Sequence, residues 1–227
     1  MPPVLGYRIY IQQSTPSFFY DRMIHEFHYI VKQCVVIGQM FLYNKSGNEG
    51  SKMEKFTTKR MTRIALIAAI YTTISLALAP LSFGNIQVRI AEALTILPVL
   101  FFDGILGVSV GCFLTNLFGA MLGVNILGFL DVFFGTVATL IAALLSYFLR
   151  NKQIKGIPYL SILAPILVNG IVIGLELTYA LAPELTWTYF FIFAAEVAVG
   201  QTIAVTLLGI PLLNYFKRVL KNESEGK

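Results

Sequence analysis

Two long stretches of this chain are almost free of charge, and that limits what it can fold into more than any other feature. Between Ile64 and Leu149 the charged residues are Arg89, Glu92, Asp103 and Asp131. Between Gly156 and Phe216 they are Glu176, Glu184 and Glu196, with no Lys or Arg. A helix that crosses a bilayer needs about 20 mostly apolar residues, and these stretches supply several. Charged residues are 13% of the 227 and hydrophobic ones 56%, whereas a soluble domain is about 25% charged. This excludes disorder and disfavours a water-soluble globule. The chain reads as an all-α polytopic membrane protein.

The apolar runs divide into six segments. The first covers about 63–79 and is expected to stop at Pro80, followed by a loop over 81–90. The second, about 91–102, is short for an untilted crossing and carries Pro98. It is therefore expected to be kinked, re-entrant or packed inside the protein. Asp103-Gly104 is expected to form a tight turn into the third, about 105–122. The others cover about 127–149, 158–181 and 187–213. Basic residues fix the orientation. Lys55, Lys59, Arg60 and Arg63 precede the first segment, Arg150, Lys152 and Lys155 follow the fourth, and Lys217, Arg218 and Lys221 follow the sixth. All three clusters share one side only with six crossings and both termini in the cytoplasm. The net charge of +5 thus reads as positive-inside topology rather than as a nucleic-acid surface.

Residues 1–52 differ in kind. They hold both histidines, His25 and His28, have no spanning run, and lack the pattern of a signal peptide. Met53 opens a basic lead over 53–62, and Glu49-Gly50 can be encoded by a purine-rich ribosome-binding sequence. Translation is expected to start at Met53, leaving 1–52 as an upstream region; the alternative is a genuine amphipathic or disordered N-terminal segment. The membrane domain is then 63–216 and the cytoplasmic tail 217–227.

Ionisable groups at membrane depth suggest function by default. At about 1.5 Å per residue, Glu92, Asp131, Glu176 and Glu196 all fall in the outer half, with Asn116 and Asn169 near mid-depth or above. Asp103 falls at the inner turn. Asn169 and Glu176 share a helix face, as do Tyr189 and Glu196. Trp187 and Tyr189 fit either an aromatic belt or a platform for a flat ligand. Ala65 and Ala69 make a small-x-x-x-small pattern that permits close helix approach. No phosphate-binding loop, HExxH or GxSxG is present, and Cys34 and Cys112 have no metal-type spacing. Neither metal, cofactor nor enzymatic activity is expected. A small membrane protein with a polar outer pocket and no energy source of its own reads as a substrate-capturing subunit.

Several blocks of sequence carry a resemblance. Gln87-Val-Arg-Ile-Ala-Glu-Ala-Leu-Thr-Ile-Leu-Pro98, Gly111-Cys-Phe-Leu-Thr-Asn116, Asp131-Val-Phe-Phe-Gly-Thr-Val-Ala-Thr-Leu140 and Pro165-Ile-Leu-Val-Asn-Gly170 resemble the queuosine-precursor transporter (QueT) family. Glu176 and Glu196-Val-Ala-Val-Gly200 do so as well. The resemblance runs from about 55 to 220. It implies a six-helix S component of an energy-coupling factor (ECF) importer, docked on a transmembrane T subunit driven by two ATPases. Ala65 and Ala69 resemble the docking motif of that class. The implied substrate is a 7-deazaguanine base.

The chemistry of the residues agrees. A guanine-like edge offers adjacent N–H donors that one carboxylate accepts in bidentate fashion. Four carboxylates against Arg89, a formal balance of −3, disfavour an anionic vitamin. Glu196 or Glu176 is expected to read the edge, with Asp131, Asn169 and Asn116 completing the polar shell. Arg89 and Glu92 are expected to form a gate, either in contact with ligand or paired with each other. The alternatives are an S component for another vitamin or base, a proton-coupled secondary transporter, and, more remotely, a membrane-embedded enzyme.

Overall fold

The computed structural model describes residues 58–84 and 87–225, with side chains described as far as Asn222. The expectations for residues 1–52, and for the start of the basic lead at Met53, lie outside the described residues. Among the described residues the fold is all-helical, apart from one isolated bridge between Ile154 and Ile157.

Helix α1 runs Thr58–Ala77 and breaks at Leu78. Pro80 does not end it, as expected, but sits in the first turn of a separate short helix, α2 (Ala79–Ser82). A proline interrupts the hydrogen bond to the carbonyl four residues back, so the break falls before it. In a first helical turn the missing N–H has no partner to lose.

The second apolar segment is a 3₁₀ helix, Ile90–Val99. Ala91 through Val99 are all buried, which selects packing inside the protein among the alternatives. A 3₁₀ helix rises about 2.0 Å per residue, so its 10 residues reach about 20 Å, further than an α-helix of that length. This is still short of a hydrocarbon core of about 30 Å. The shortfall is tolerated because the segment touches α1 and the three later helices α3 (Asp103–Met121), α4 (Phe129–Phe148) and α5 (Tyr159–Leu181) rather than lipid.

Asp103 and Gly104 lie within the first turn of α3, so the expected tight turn falls earlier, over Leu100–Phe102. An acidic residue is favoured at a helix N-terminus by the exposed N–H groups. The last element begins as α6 (Trp187–Thr202), widens into a π-helical stretch (Ile203–Gly209) and continues as α7 (Ile210–Glu225). The widening precedes Pro211, whose nitrogen cannot bond to Leu207. The basic tail from Lys217 onward therefore extends the helix as far as Glu225.

Among the described residues four helices are long and apolar enough to cross a membrane: Asp103–Met121, Phe129–Phe148, Tyr159–Leu181 and Trp187–Asn222. Helices adjacent in the chain pack successively, α1 on α3, α3 on α4, α4 on α5 and α5 on α6. The central 3₁₀ segment lies against the π stretch. The α1–α3 contact depends on Gly111, where a Cβ would stand 2.7 Å from the Tyr71 Cβ. That closeness sets Tyr71 into the core with Ile67, Leu94, Ile105 and Cys112.

The two ends of the bundle differ. At one, Arg60 Nε pairs with Asp103 at 2.7 Å and Arg63 Nη1 at 3.6 Å. There Phe102 meets Tyr147 edge-on, Arg150 stacks over Tyr147, and Lys217 donates to the Gly156 carbonyl at 2.8 Å. The other end holds the approach to the 3₁₀ segment, the α3–α4 loop and the start of α6.

Candidate functional site

Arg89 precedes the 3₁₀ helix in extended conformation, and its side chain crosses to the opposite helices. Its Nη2 pairs with Asp131 Oδ2 in the first turn of α4, and its Nη1 donates to Asn116 Oδ1 on α3 at 3.4 Å. Asn125 donates to the same Asp131 oxygen at 2.9 Å, and Asn116 Nδ2 donates to the Asp131 carbonyl at 2.8 Å. The guanidinium also lies 5.8 Å from the centre of the Phe83 ring, a favourable cation–π placement. Arg89 and Asp131 are both buried. Such a pair adds little net stability over apolar packing, but removing one partner strands the other charge at a cost of roughly 3–5 kcal/mol.

Glu92 belongs to a second network. Tyr71 on α1 donates its hydroxyl to Glu92 Oε1, and Asn169 Nδ2 on α5 lies 3.5 Å from Glu92 Oε2. The expected alternative of an Arg89–Glu92 pair is not what forms. Arg89 turns to Asp131, which offers a carboxylate at a helix N-terminus flanked by two asparagine amides, while Glu92 joins α1, the 3₁₀ helix and α5.

In and beside these networks are buried polar atoms without a partner. Both carboxylate oxygens of Glu176 are bare, as are Asn169 Oδ1, Asp131 Oδ1 and Arg89 Nε. Glu176 is within electrostatic reach of Asp131 and Arg89. On α5 it stands next to Leu177 and one turn after Ile173, which form an apolar wall with Leu127 and Val197, Phe193 packing against that wall. A buried polar group without a partner costs roughly 1–3 kcal/mol, so native proteins keep few of them. Glu176 is near Asp131 and Arg89, so several of these atoms belong to one neighbourhood, which makes it the candidate surface for a ligand.

Of the residues expected at the site, Arg89, Glu92, Asn116, Asp131, Asn169 and Glu176 come together in this way. Glu196 is half-buried one turn before Gly200 on the same helix face and enters neither network. Trp187 is 75% exposed and meets Phe190 edge-on; Tyr189 is half-buried. Ala65 and Ala69 are exposed on the side of α1 away from Ile67, Ala68 and Tyr71, the residues that pack inward.

Sequence reasoning passed over Tyr71, Gln87, Asn125 and Gln201. Gln201 is a lone amide in an apolar helix, the same signal that singled out Asn169. Gln87 stands two residues before Arg89 in an extended stretch. Tyr71 and Asn125 had no comparable signal, because their roles depend on which carboxylate the fold sets opposite them.

A family model described as QueT transporter matches residues 61–218. No curated protein and no solved structure matches the chain.

Proposed function

Because the chain belongs to the QueT transporter family, and is thus a membrane transporter rather than an enzyme, we propose that it is the substrate-capturing S component of an ECF importer, with a 7-deazaguanine queuosine precursor as its ligand. The observation that carries this reading is the buried carboxylate of Glu176, with neither oxygen bonded. A guanine-like edge would bring two adjacent N–H groups to it and form the bidentate, charge-assisted pair that carboxylates favour. Asp131 is already neutralised by Arg89, while Glu92 and Glu176 have no cation bonded to them among the described residues. The region therefore suits a neutral or cationic base and repels an anion. In this reading Asn169 and Asn116 complete the polar shell, and Glu196, Trp187 and Tyr189 on α6 are further candidates for ligand contact.

The sequence has no phosphate-binding loop, and in this reading the energy comes from a partner. Exposed Ala65 and Ala69 on α1 offer the close-packing surface for a T subunit carrying two ATPases, and the protein lies in the bacterial plasma membrane. Six crossings with both termini in the cytoplasm agree with the clustering of Arg60, Arg63, Arg150 and Lys217 at one end of the bundle.

Calorimetry on the full chain in detergent tests this reading, with 7-deazaguanine bases as ligands and guanine as competitor. Tight binding that discriminates against guanine is expected, weakened roughly 100-fold or more in Glu176→Gln. A folded sample that binds none of these bases would sink the substrate assignment. Uptake by the chain alone, collapsed by a proton uncoupler, would replace the ECF reading with a secondary transporter. Ala65→Leu with Ala69→Leu should abolish docking on the T subunit and leave ligand affinity unchanged.

A further inference from the structure

The bare polar atoms in the outer half do not end with Glu176. Gln87 Oε1 and Nε2 and Gln201 Oε1 are also buried without a partner, and both residues are almost fully enclosed. Three observations associate them with the site. Arg89 has extended backbone angles, and residues two apart in an extended chain project to the same side; Gln87 therefore turns inward with Arg89. The Gln87 backbone lies directly on α6 at Gly200, where any Cβ would collide with the Gln87 carbonyl, and Gln201 is the next residue. Gln201 also follows Val197 by one turn on the inward face of α6, and Val197 belongs to the apolar wall beside Glu176.

We propose that Gln87 and Gln201 are specificity-determining residues that hydrogen-bond the ligand alongside Glu176, an inference that rests on the ligand-capturing function above. Among these side chains six acceptor oxygens are bare, from Gln87, Asp131, Asn169, Glu176 and Gln201, against two donor nitrogens, from Gln87 and Arg89; the bare hydroxyls of Ser75, Ser82 and Thr115 can serve either way. The complementary ligand is rich in N–H donors and carries few acceptors. Gln87 is the one side chain of the set with both a bare donor and a bare acceptor. It matches a ligand edge where a carbonyl and an N–H stand side by side, as in a lactam. Gln201 Oε1 and the Glu176 carboxylate take the donor-only edge, as an amidine or exocyclic amine presents. The ligand is thus read along two edges by groups from three elements, the loop before the 3₁₀ helix, α5 and α6. A base lacking its exocyclic amine would leave acceptors stranded.

The test compares the full-length protein with Gln87→Met and Gln201→Met in detergent by two measurements. Calorimetry uses 7-deazaguanine and the corresponding base without the exocyclic amine. Thermal unfolding is followed without ligand. Each variant should weaken 7-deazaguanine binding roughly 5- to 100-fold, and Gln201→Met should reduce the preference for the amine-bearing base. Without ligand both should melt at or above the wild-type temperature, because an apolar isostere removes a bare buried amide. Unchanged affinity in both variants overturns the proposal. So does a ligand-free melting temperature lowered by several degrees, which would mean that the amides hold the fold together. If the wild type binds neither base, the substrate reading fails on its own. The melting comparison still decides the glutamines: destabilised variants overturn them, and unaffected or stabilised variants retain them as a surface for another donor-rich ligand.

Discussion

Asp131 and Glu176 are buried carboxylates in the same half of the bundle, and their surroundings are opposite. Asp131 opens α4 with its backbone at the positive end of the helix, Arg89 and Asn125 on one oxygen and Asn116 on its carbonyl. Glu176 stands on α5 beside an apolar wall with both oxygens bare. The first region is largely closed by its own side chains, with Asp131 Oδ1 and Arg89 Nε left bare, and holds the fold; the second has no donor of its own and is where the proposed ligand would be accommodated. Intramembrane charge is therefore not one signal: whether a carboxylate supports structure or recognition depends on whether the fold has already given it donors.

The strongest way to break this comparison is Arg89→Met. It strands Asp131 in the core and should lower stability by roughly 3–5 kcal/mol, seen as a large drop in detergent melting temperature. A variant that melts like wild type would mean that the pair does not close the first region. Next comes Tyr71→Phe, which strips Glu92 Oε1 of its donor and should cost about 1–3 kcal/mol. Glu176→Gln sharpens the contrast by sign. Without ligand it should leave stability unchanged or raise it by about 1 kcal/mol, because a buried carboxyl with no donors gives way to a neutral amide of the same shape. A fall comparable with that of Arg89→Met would erase the distinction. The smallest effect belongs to the other end of the bundle. Asp103→Asn loses partly exposed pairs with Arg60 and Arg63 and should cost at most about 1 kcal/mol, less still in high salt. Melting curves at two ionic strengths would check it.

The glutamines show how a pattern can be visible yet unread. An amide in an apolar run is as conspicuous at Gln201 as at Asn169, but attention to charge favoured Glu196, which enters neither network. Gln87 was inside a recognised block and was treated as its edge. Pro80 and Asp103-Gly104 were correctly seen as punctuation and misplaced by a few residues. A proline is accepted in a first turn, and an aspartate's charge is favoured within the first turn of a helix as well as at its cap.

By itself the sequence determined the all-helical membrane architecture, the family, and the residues from which a site could be built. Those follow from local quantities: the length of apolar runs, the placement of Lys and Arg, and the rarity of polar groups at depth. Only the tertiary structure decided the partners. That Arg89 meets Asp131, 42 residues away, and that Glu92 meets Tyr71 and Asn169, depends on how helices pack around the 3₁₀ segment. The same packing leaves Glu176, both amide atoms of Gln87 and the amide oxygen of Gln201 without partners. Hydrogen bonds act over about 3 Å, so pairing is a property of three-dimensional neighbours, which spacing along one helix cannot supply.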